Sequence, residues 1–304
     1  MADWSSLPSG TDVEFFHHHI ADVDALTERL APFEVVVAMR ERTAFGRDVL
    51  ERLPQLRLLV TTGPFNAVID VAAAAERGVV VCGTGGRLTP TAELTWALIL
   101  AALRHVTTED ASVRAGDWQR TVGTSVHGRT LALLGLGRLG ALVARVGNAF
   151  GMDVIAWSQN LTDERCARVG GVTRVEKSEL FRRADVLSIH LVLSERTRGL
   201  VGTRELAAMK PTALLVNTSR GPIVDERALV HALESRTIAA AALDVFDEEP
   251  LPSEHPLRAL PNALVTPHIG YVTDDTYRVF YGDAVEDIAA FLAGSPVRVI
   301  EATK

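Results

Sequence analysis

Three polar islands between residues 217 and 270 hold the side chains best suited to chemistry. They read Asn217-Thr218-Ser219-Arg220-Gly221, Asp244-Val245-Phe246-Asp247-Glu248-Glu249-Pro250 and Thr266-Pro267-His268-Ile269-Gly270. Each follows a short apolar run of strand character, at 213–216, 238–243 and 263–266. In an open α/β sheet, ligands bind beyond the carboxyl ends of the strands. One edge would therefore carry Arg220, a carboxylate from among Asp247, Glu248 and Glu249, and His268. An arginine clamps an anion, a carboxylate orients a base and a histidine carries a proton. These are the parts that reduction of a 2-oxo acid calls for. Singly, each has a plainer reading as a surface cation, a solvated carboxylate or a capping histidine; their grouping after consecutive strands argues for catalysis.

A source of electrons is written upstream. The apolar run Thr130-Leu131-Ala132-Leu133-Leu134 leads directly into Gly135-Leu136-Gly137-Arg138-Leu139-Gly140, and 141–150 then shows helical spacing. Strand, glycine turn and helix in that order are the context a dinucleotide fingerprint needs. Gly135 permits the tight turn, Gly137 lets a pyrophosphate approach the backbone, and Gly140 lets helix and strand pack closely. The helix N-terminus offers its free N–H groups to the phosphates.

Other elements must position these groups. Before residue 90, strands are expected at 13–16, 34–39, 56–61 and 79–82, with helices at 24–30, 45–53 and 70–77 between them. Such alternation means βαβ units and a mostly parallel sheet. A long helix is expected at 91–104, capped by Thr89 or Thr91. A second α/β set has strands at 131–134, 153–157, 186–190, 214–216, 239–243 and 264–266. A last helix covers 283–292, and 297–300 is an apolar tail.

The 304 residues suffice for two domains with full cores. A net charge of −7, with no cluster of lysine or arginine, argues against a nucleic-acid surface. The longest apolar stretch, 94–103, is too short for a bilayer span of about 20 residues. Residues 1–10 lack the basic flank and apolar core of a secretory signal, and the two cysteines, Cys82 and Cys166, suggest no disulfide framework. The expectation is a soluble, cytoplasmic protein. His17-His18-His19 invites a metal reading, but on a strand end successive side chains alternate faces and cannot all converge.

With these motifs in place, the chain resembles the D-isomer-specific 2-hydroxyacid dehydrogenase family. Gly128-Arg129-Thr130-Leu131, Ala184-Asp185-Val186-Leu187-Ser188, Met209-Lys210-Pro211 and Val224-Asp225 join the glycine turn and the three islands in that likeness. The resemblance implies two doubly wound domains, a Rossmann NAD(P)-binding domain at 97–285 inserted into a flavodoxin-like substrate domain at 1–96 and 286–304. The cleft between them would be catalytic. It implies an NAD(P)-dependent enzyme interconverting a small 2-oxo acid and its D-2-hydroxy acid. Arg220 would bind the substrate carboxylate and oxo oxygen, His268 would be the acid–base, and Glu249, directly before Pro250, would hold His268. Asp244 would meet the nicotinamide carboxamide, while Arg138, Leu139, Ser158, Thr218, Ser219 and Gly270 would line the dinucleotide with the three glycines. A homodimer is implied through the region 91–118, although Leu94, Leu98 and Leu103 could equally be internal core.

Three departures from the family pattern matter. The acidic residue that grips a ribose 2′-OH is replaced by Ser158-Gln159-Asn160, and the nearest arginine is Arg165, so NAD and NADP both stay open. The substrate loop, commonly Gly-Val-Gly-x-Asp-x-Ile-Asp, reads Gly63-Pro64-Phe65-Asn66-Ala67-Val68-Ile69-Asp70. Substrate identity therefore does not carry over from the phosphoglycerate enzymes, whose appended regulatory domain also has no room before Lys304. The expected first strand of the substrate sheet is not found before residue 13, which would leave four strands and an empty sheet position. Two other readings share the scaffold: a phosphite-type dehydrogenase, and a dinucleotide-sensing corepressor-like binding protein. Formate enzymes have glutamine where Glu249 stands.

Overall fold

The computed structural model describes residues 1–302. By contact the chain divides into two compact units, Met1–Arg87 with Val272–Lys304, and Leu88–Tyr271. Both cuts fall earlier in the chain than the expected ones at 96/97 and 285/286. The reason is that two helices each belong wholly to one unit, as described below.

In the first unit α1 (Val23–Leu30), β1 (Val35–Ala38), α2 (Arg47–Leu50), β2 (Leu58–Thr61), α3 (Val71–Glu76) and β3 (Val80–Gly83) alternate. Asp22 and Asp70 cap α1 and α3 by accepting from the Ala25 and Ala73 N–H groups. The strands pair in parallel in the order β1-β2-β3. Central β2 is buried on both faces: Leu59 packs with Phe45, Val49 and Ala73, whereas Leu58 and Val60 belong to a second cluster with Cys82.

The strand expected at 13–16 does not form, so three strands stand where four were expected. Phe15 meets Trp4 edge-on and Phe16 meets Phe33 edge-on, both at 5.6 Å, with the Arg29 guanidinium 5.3 Å from the Phe16 ring. Aromatic contacts, not a hydrogen-bonded ladder, hold this segment. His17, His18 and His19 consequently lie in an irregular, exposed stretch and not at a strand end. Residues 1–10 contain one 3-10 turn, Trp4–Ser6, and no strand.

The second unit opens with α4 (Thr89–Leu103) and α5 (Val106–Arg114). It continues through β4 (Thr130–Leu134), α6 (Arg138–Ala149), β5 (Asp153–Trp157), α7 (Asp163–Val169), β6 (Val172–Arg174), α8 (Lys177–Arg183) and β7 (Val186–Ile189). Then follow α9 (Thr203–Ala208), β8 (Leu214–Asn217), α10 (Glu226–Glu234), β9 (Ala240–Leu243) and β10 (Ala263–Val265). All seven strands are parallel, in the order β10-β9-β8-β7-β4-β5-β6. The direction of winding reverses between β4 and β7, the switch point of a Rossmann sheet. On β4, Leu131 and Leu133 face one core and Ala132 and Leu134 the other, as strands covered by helices on both faces must. The seventh strand, β6, escaped the sequence reading: it has three residues at a sheet edge, only Val172 of them apolar.

Helix α4 packs along α6, β8 and β9, which assigns all of it to the second unit. Its N-cap is Leu88, without a side-chain cap, and not Thr89 or Thr91. The Thr91 hydroxyl donates instead to the Gly270 carbonyl at 3.0 Å. The chain returns to the first unit in α11 (Asp274–Leu292), capped by Thr273 and nine residues earlier in its start than 283. Ala284 and Ile288 of α11 close over Leu58, Val60 and Cys82, and the tail pairs with β3 through Gly83 N–H to Arg298 O and Ile300 N–H to Val81 O.

Candidate active site

The three islands lie at the carboxyl ends of β8, β9 and β10, adjacent strands of one sheet. After β8, buried Asn217 folds its own loop: its amide donates to the Arg220 carbonyl at 2.9 Å and its oxygen accepts from the Ser219 N–H at 3.0 Å. The Arg220 guanidinium bonds the Ser219 carbonyl at 2.7 Å. The following glycine has a steric cause. A Cβ at Gly221 would sit 2.0 Å from the Phe246 carbonyl carbon and 2.1 Å from its oxygen, so only glycine lets this loop touch the backbone after β9.

That neighbouring loop carries Glu249, joined to Pro250 by a cis peptide. Its Oε1 accepts from the Phe246 N–H at 3.0 Å and its Oε2 lies 2.6 Å from His268 Nδ1. Burial pushes the Glu249 carboxyl up, but the bond and charge of His268, the Phe246 N–H and the nearby Arg220 guanidinium together hold it below its usual range. The sequence left three carboxylates open, and Glu249 is the one that meets the histidine. His268 takes a left-handed backbone, φ 54°, after β10, a conformation uncommon outside glycine and found at functional sites. Its ring meets Tyr271 edge-on at 5.7 Å.

Asp244 builds the loop that presents His268. The carboxylate is buried and accepts from the Thr266 hydroxyl at 2.5 Å, the Ile269 N–H at 2.9 Å and the Gly270 N–H at 2.8 Å. Three of roughly four acceptor positions are thereby used. Burial still outweighs these donors and leaves the carboxyl above the usual aspartate value. Gly270 is squeezed between Asp244 and Thr91, each 3.2 Å from where a Cβ would stand.

The glycine turn sits at the switch point. Gly135 has φ 109°, and a Cβ there would strike the His190 carbonyl after β7 at 2.7 Å. A Cβ at Gly140 would lie 2.2 Å from the Gly135 oxygen, while one at Gly137, the N-cap of α6, would meet only open space. An uncapped helix N-terminus with open space before it is the cradle a pyrophosphate fills, so these residues fit a dinucleotide. Arg138 is exposed and Leu139 half-buried beside it, and Ser158 follows β5, whose last carbonyl, Trp157, accepts from the Gly135 N–H at 2.9 Å. Ser219 donates its hydroxyl to the Leu191 carbonyl. Thr218 is buried with its hydroxyl 2.8 Å from that of Thr95, so it turns toward α4 and leaves only backbone for a ligand.

Sequence reasoning missed His190. Its Nδ1 is buried without a hydrogen-bond partner among the described residues, Nε2 lies 2.9 Å from the Ser188 hydroxyl, and burial lowers the imidazole to about 4. The missed signal was its place directly after a strand, two residues past a serine on the same face.

Residues 96–270 match the family model of the D-isomer-specific 2-hydroxyacid dehydrogenase NAD-binding domain. The chain belongs to this family. Its members are NAD(P)-dependent oxidoreductases of CH–OH donors, and the parallel sheet with its glycine turn is their nucleotide-binding fold. A glyoxylate reductase of Aeropyrum pernix is 45% identical over 257 residues, 81% of this chain and 76% of that protein. A D-3-phosphoglycerate dehydrogenase of Methanocaldococcus jannaschii is 36% identical over 89% of this chain, which spans about half (52%) of that longer relative. Among solved structures, a phosphoglycerate oxidoreductase from Vibrio cholerae superposes with a TM-score of 0.92 at 38% identity, covering 97% of this chain and 95% of that one. Among the described residues no helix is long and apolar enough to cross a membrane.

Proposed function

We propose that the chain reduces a small 2-oxo acid to its D-2-hydroxy acid with NADH or NADPH. The observation that carries this reading is the His268 Nδ1–Glu249 Oε2 contact of 2.6 Å, beside the loop of Arg220. With Nδ1 turned to the carboxylate, Nε2 is the nitrogen left to give a proton to the oxo oxygen. The planar, permanently charged guanidinium of Arg220 suits the substrate carboxylate and the adjacent oxygen. Glu249 fixes the ring that transfers the proton, as the third member of such a set does. A dinucleotide, when bound, would supply hydride to C2, and Gly135, Gly137, Arg138, Leu139, Gly140, Ser158, Ser219, the Thr218 backbone, Asp244 and Gly270 would hold it. Glyoxylate heads the substrate panel, because the A. pernix relative bears that name.

The test is NADH and NADPH oxidation by the purified protein with glyoxylate, hydroxypyruvate, pyruvate and bulkier 2-oxo acids. His268→Asn should lower kcat about 10²–10⁴-fold, the usual contribution of a general acid. NAD reduction with phosphite would replace this reading by the phosphite one. A folded protein that binds nucleotide yet turns nothing over would favour the corepressor one.

A cytoplasmic homodimer completes the proposal. Leu98 is buried, and Leu94 and Leu103 pack partly buried on the same core, which supports an internal role for these α4 residues. Exposed apolar groups lie just beyond, at Val106, Val113, Trp118 and Val122, and they are the surface a second copy would cover. Light scattering showing a monomer at micromolar concentration would remove this part.

A further inference from the structure

The missing ribose carboxylate leaves the choice of dinucleotide to other residues, and Arg165 is one that bonds the glycine loop. Ser158-Gln159-Asn160-Leu161 is a turn closed by the Leu161 N–H on the Ser158 carbonyl at 3.0 Å, with Leu161 buried as its anchor. Thr162 then caps α7, accepting from the Arg165 N–H at 3.2 Å. The Arg165 side chain reaches back across this turn to the glycine loop: Nε donates to the Leu136 carbonyl and Nη2 to the Gly137 carbonyl, both at 2.9 Å. Trp157, directly before Ser158, is itself tied to Gly135. The guanidinium is therefore fixed against the nucleotide loop at the end of β5, where an acidic residue would otherwise face the adenosine ribose.

The remaining charges of the two segments decide what this arginine can do. Between 135 and 140 and between 158 and 165 the ionisable side chains are Arg138, Asp163, Glu164 and Arg165. Asp163 is paired with Arg174 at 3.0 Å. Glu164 is held below its usual range chiefly by its own backbone N–H and the Thr162 hydroxyl. Neither carboxylate bonds Arg165. Two of its five N–H donors are spent on carbonyls, which bear no full charge, and three remain for an anion. A ribose 2′-hydroxyl offers no charge to such a group, whereas a 2′-phosphate does.

We propose that Arg165, with Ser158 beside the same loop, forms a 2′-phosphate subsite that makes NADPH the preferred dinucleotide. The proposal rests on the nucleotide site read above but not on the identity of the oxo acid. Isothermal calorimetry on the full chain with 2′,5′-ADP and 5′-AMP tests it without substrate or turnover. 2′,5′-ADP should bind about 10–100-fold more tightly, the range for hydrogen bonds to a charged group. Arg165→Met should abolish that ratio while 5′-AMP still binds. Ser158→Asp, which leaves the arginine in place and returns a carboxylate, should reverse the preference. With any oxo acid that the wild type reduces, the kcat/KM ratio of NADPH to NADH should follow the same order. Equal affinities for the two nucleotides in the wild type would overturn the proposal. So would a parallel loss of both in Arg165→Met, which would make Arg165 only an anchor of α7, or no binding of either.

Discussion

Replacing Gly221 by alanine places a methyl group 2.0 Å from the Phe246 carbonyl carbon, 2.1 Å from its oxygen and 2.6 Å from the Asp247 nitrogen. All three are backbone atoms, so no rotamer change relieves the overlap. Reaching even the tight limit of 3.0 Å requires the loops to part by 1.0 Å. Neither side yields freely: Asn217 staples the Arg220 loop, and Glu226 accepts from the Asp247 N–H at 3.2 Å on the other. Since Arg220 rides on one loop and Glu249 on the other, the proposed anion clamp and the proposed acid–base pair would separate by a similar amount. A 1 Å misplacement of reacting groups costs about 10²-fold, and overpacking costs about 1–3 kcal/mol of stability. The assay is kcat/KM for the best oxo acid with saturating dinucleotide, run beside a thermal melt and 5′-AMP calorimetry. The expected pattern is a two-decade loss with nucleotide affinity retained, because the glycine turn follows a different strand. A folded Gly221→Ala protein with wild-type kcat/KM would show that the close approach of the two loops is not needed for catalysis.

Asp244→Asn should destabilise the chain by about 1–3 kcal/mol, the cost of a buried group left unsatisfied, because an amide cannot accept from all three of its donors. Urea unfolding checks it, and an unchanged midpoint would contradict the bonding described. His190 titrates near 4 in the folded chain against 6.5 ordinarily. In that window this imidazole binds more protons in the unfolded chain, so the His190 contribution to stability should rise from pH 4 to 6.5 and be lost on acidification; the difference between His190→Asn and the wild type in melts should change across that range. Asp287 shows the opposite sign. Its carboxyl is fully buried, with one oxygen 2.9 Å from Arg298, and burial raises it from 3.8 to about 6. The folded carboxyl holds the extra proton there, so the Asp287 contribution to stability should fall as pH rises through that window. Asp287→Asn should accordingly gain on the wild type between pH 4 and 7, and a constant difference would refute the assignment.

How much of this was legible in the sequence follows from what each residue contacts. The strands of the second unit could be read because burial on both faces makes them unbroken apolar runs, as in Leu131–Leu134. The order Arg220, Glu249, His268 could be read because consecutive strands deliver them to one edge. The segment at 13–16 misled because its apolar residues serve aromatic contacts with Trp4 and Phe33, and no pattern of alternation distinguishes that use from a strand. The bonds of Asp244 to Thr266, Ile269 and Gly270 run to residues more than twenty positions away, and spacing did not reveal them. Gly221 owes its identity to a backbone brought near by the fold, and Arg165, in the sequence only the nearest arginine, bonds the glycine loop from α7. Contacts of this kind are tertiary, and spacing along the chain does not encode them.

The interruption of one unit by the other also sets an order of events during synthesis. The second unit is a single stretch, Leu88–Tyr271, and can close its sheet as soon as it leaves the ribosome. The first unit cannot, because Leu58, Val60 and Cys82 are covered by Ala284 and Ile288. At roughly 5–20 residues per second, the stretch from β3 to α11 takes about 10–40 s to make. For that interval an apolar sheet face waits for its helix, and a nascent chain of this protein is most exposed to chaperone capture or aggregation just before α11 emerges.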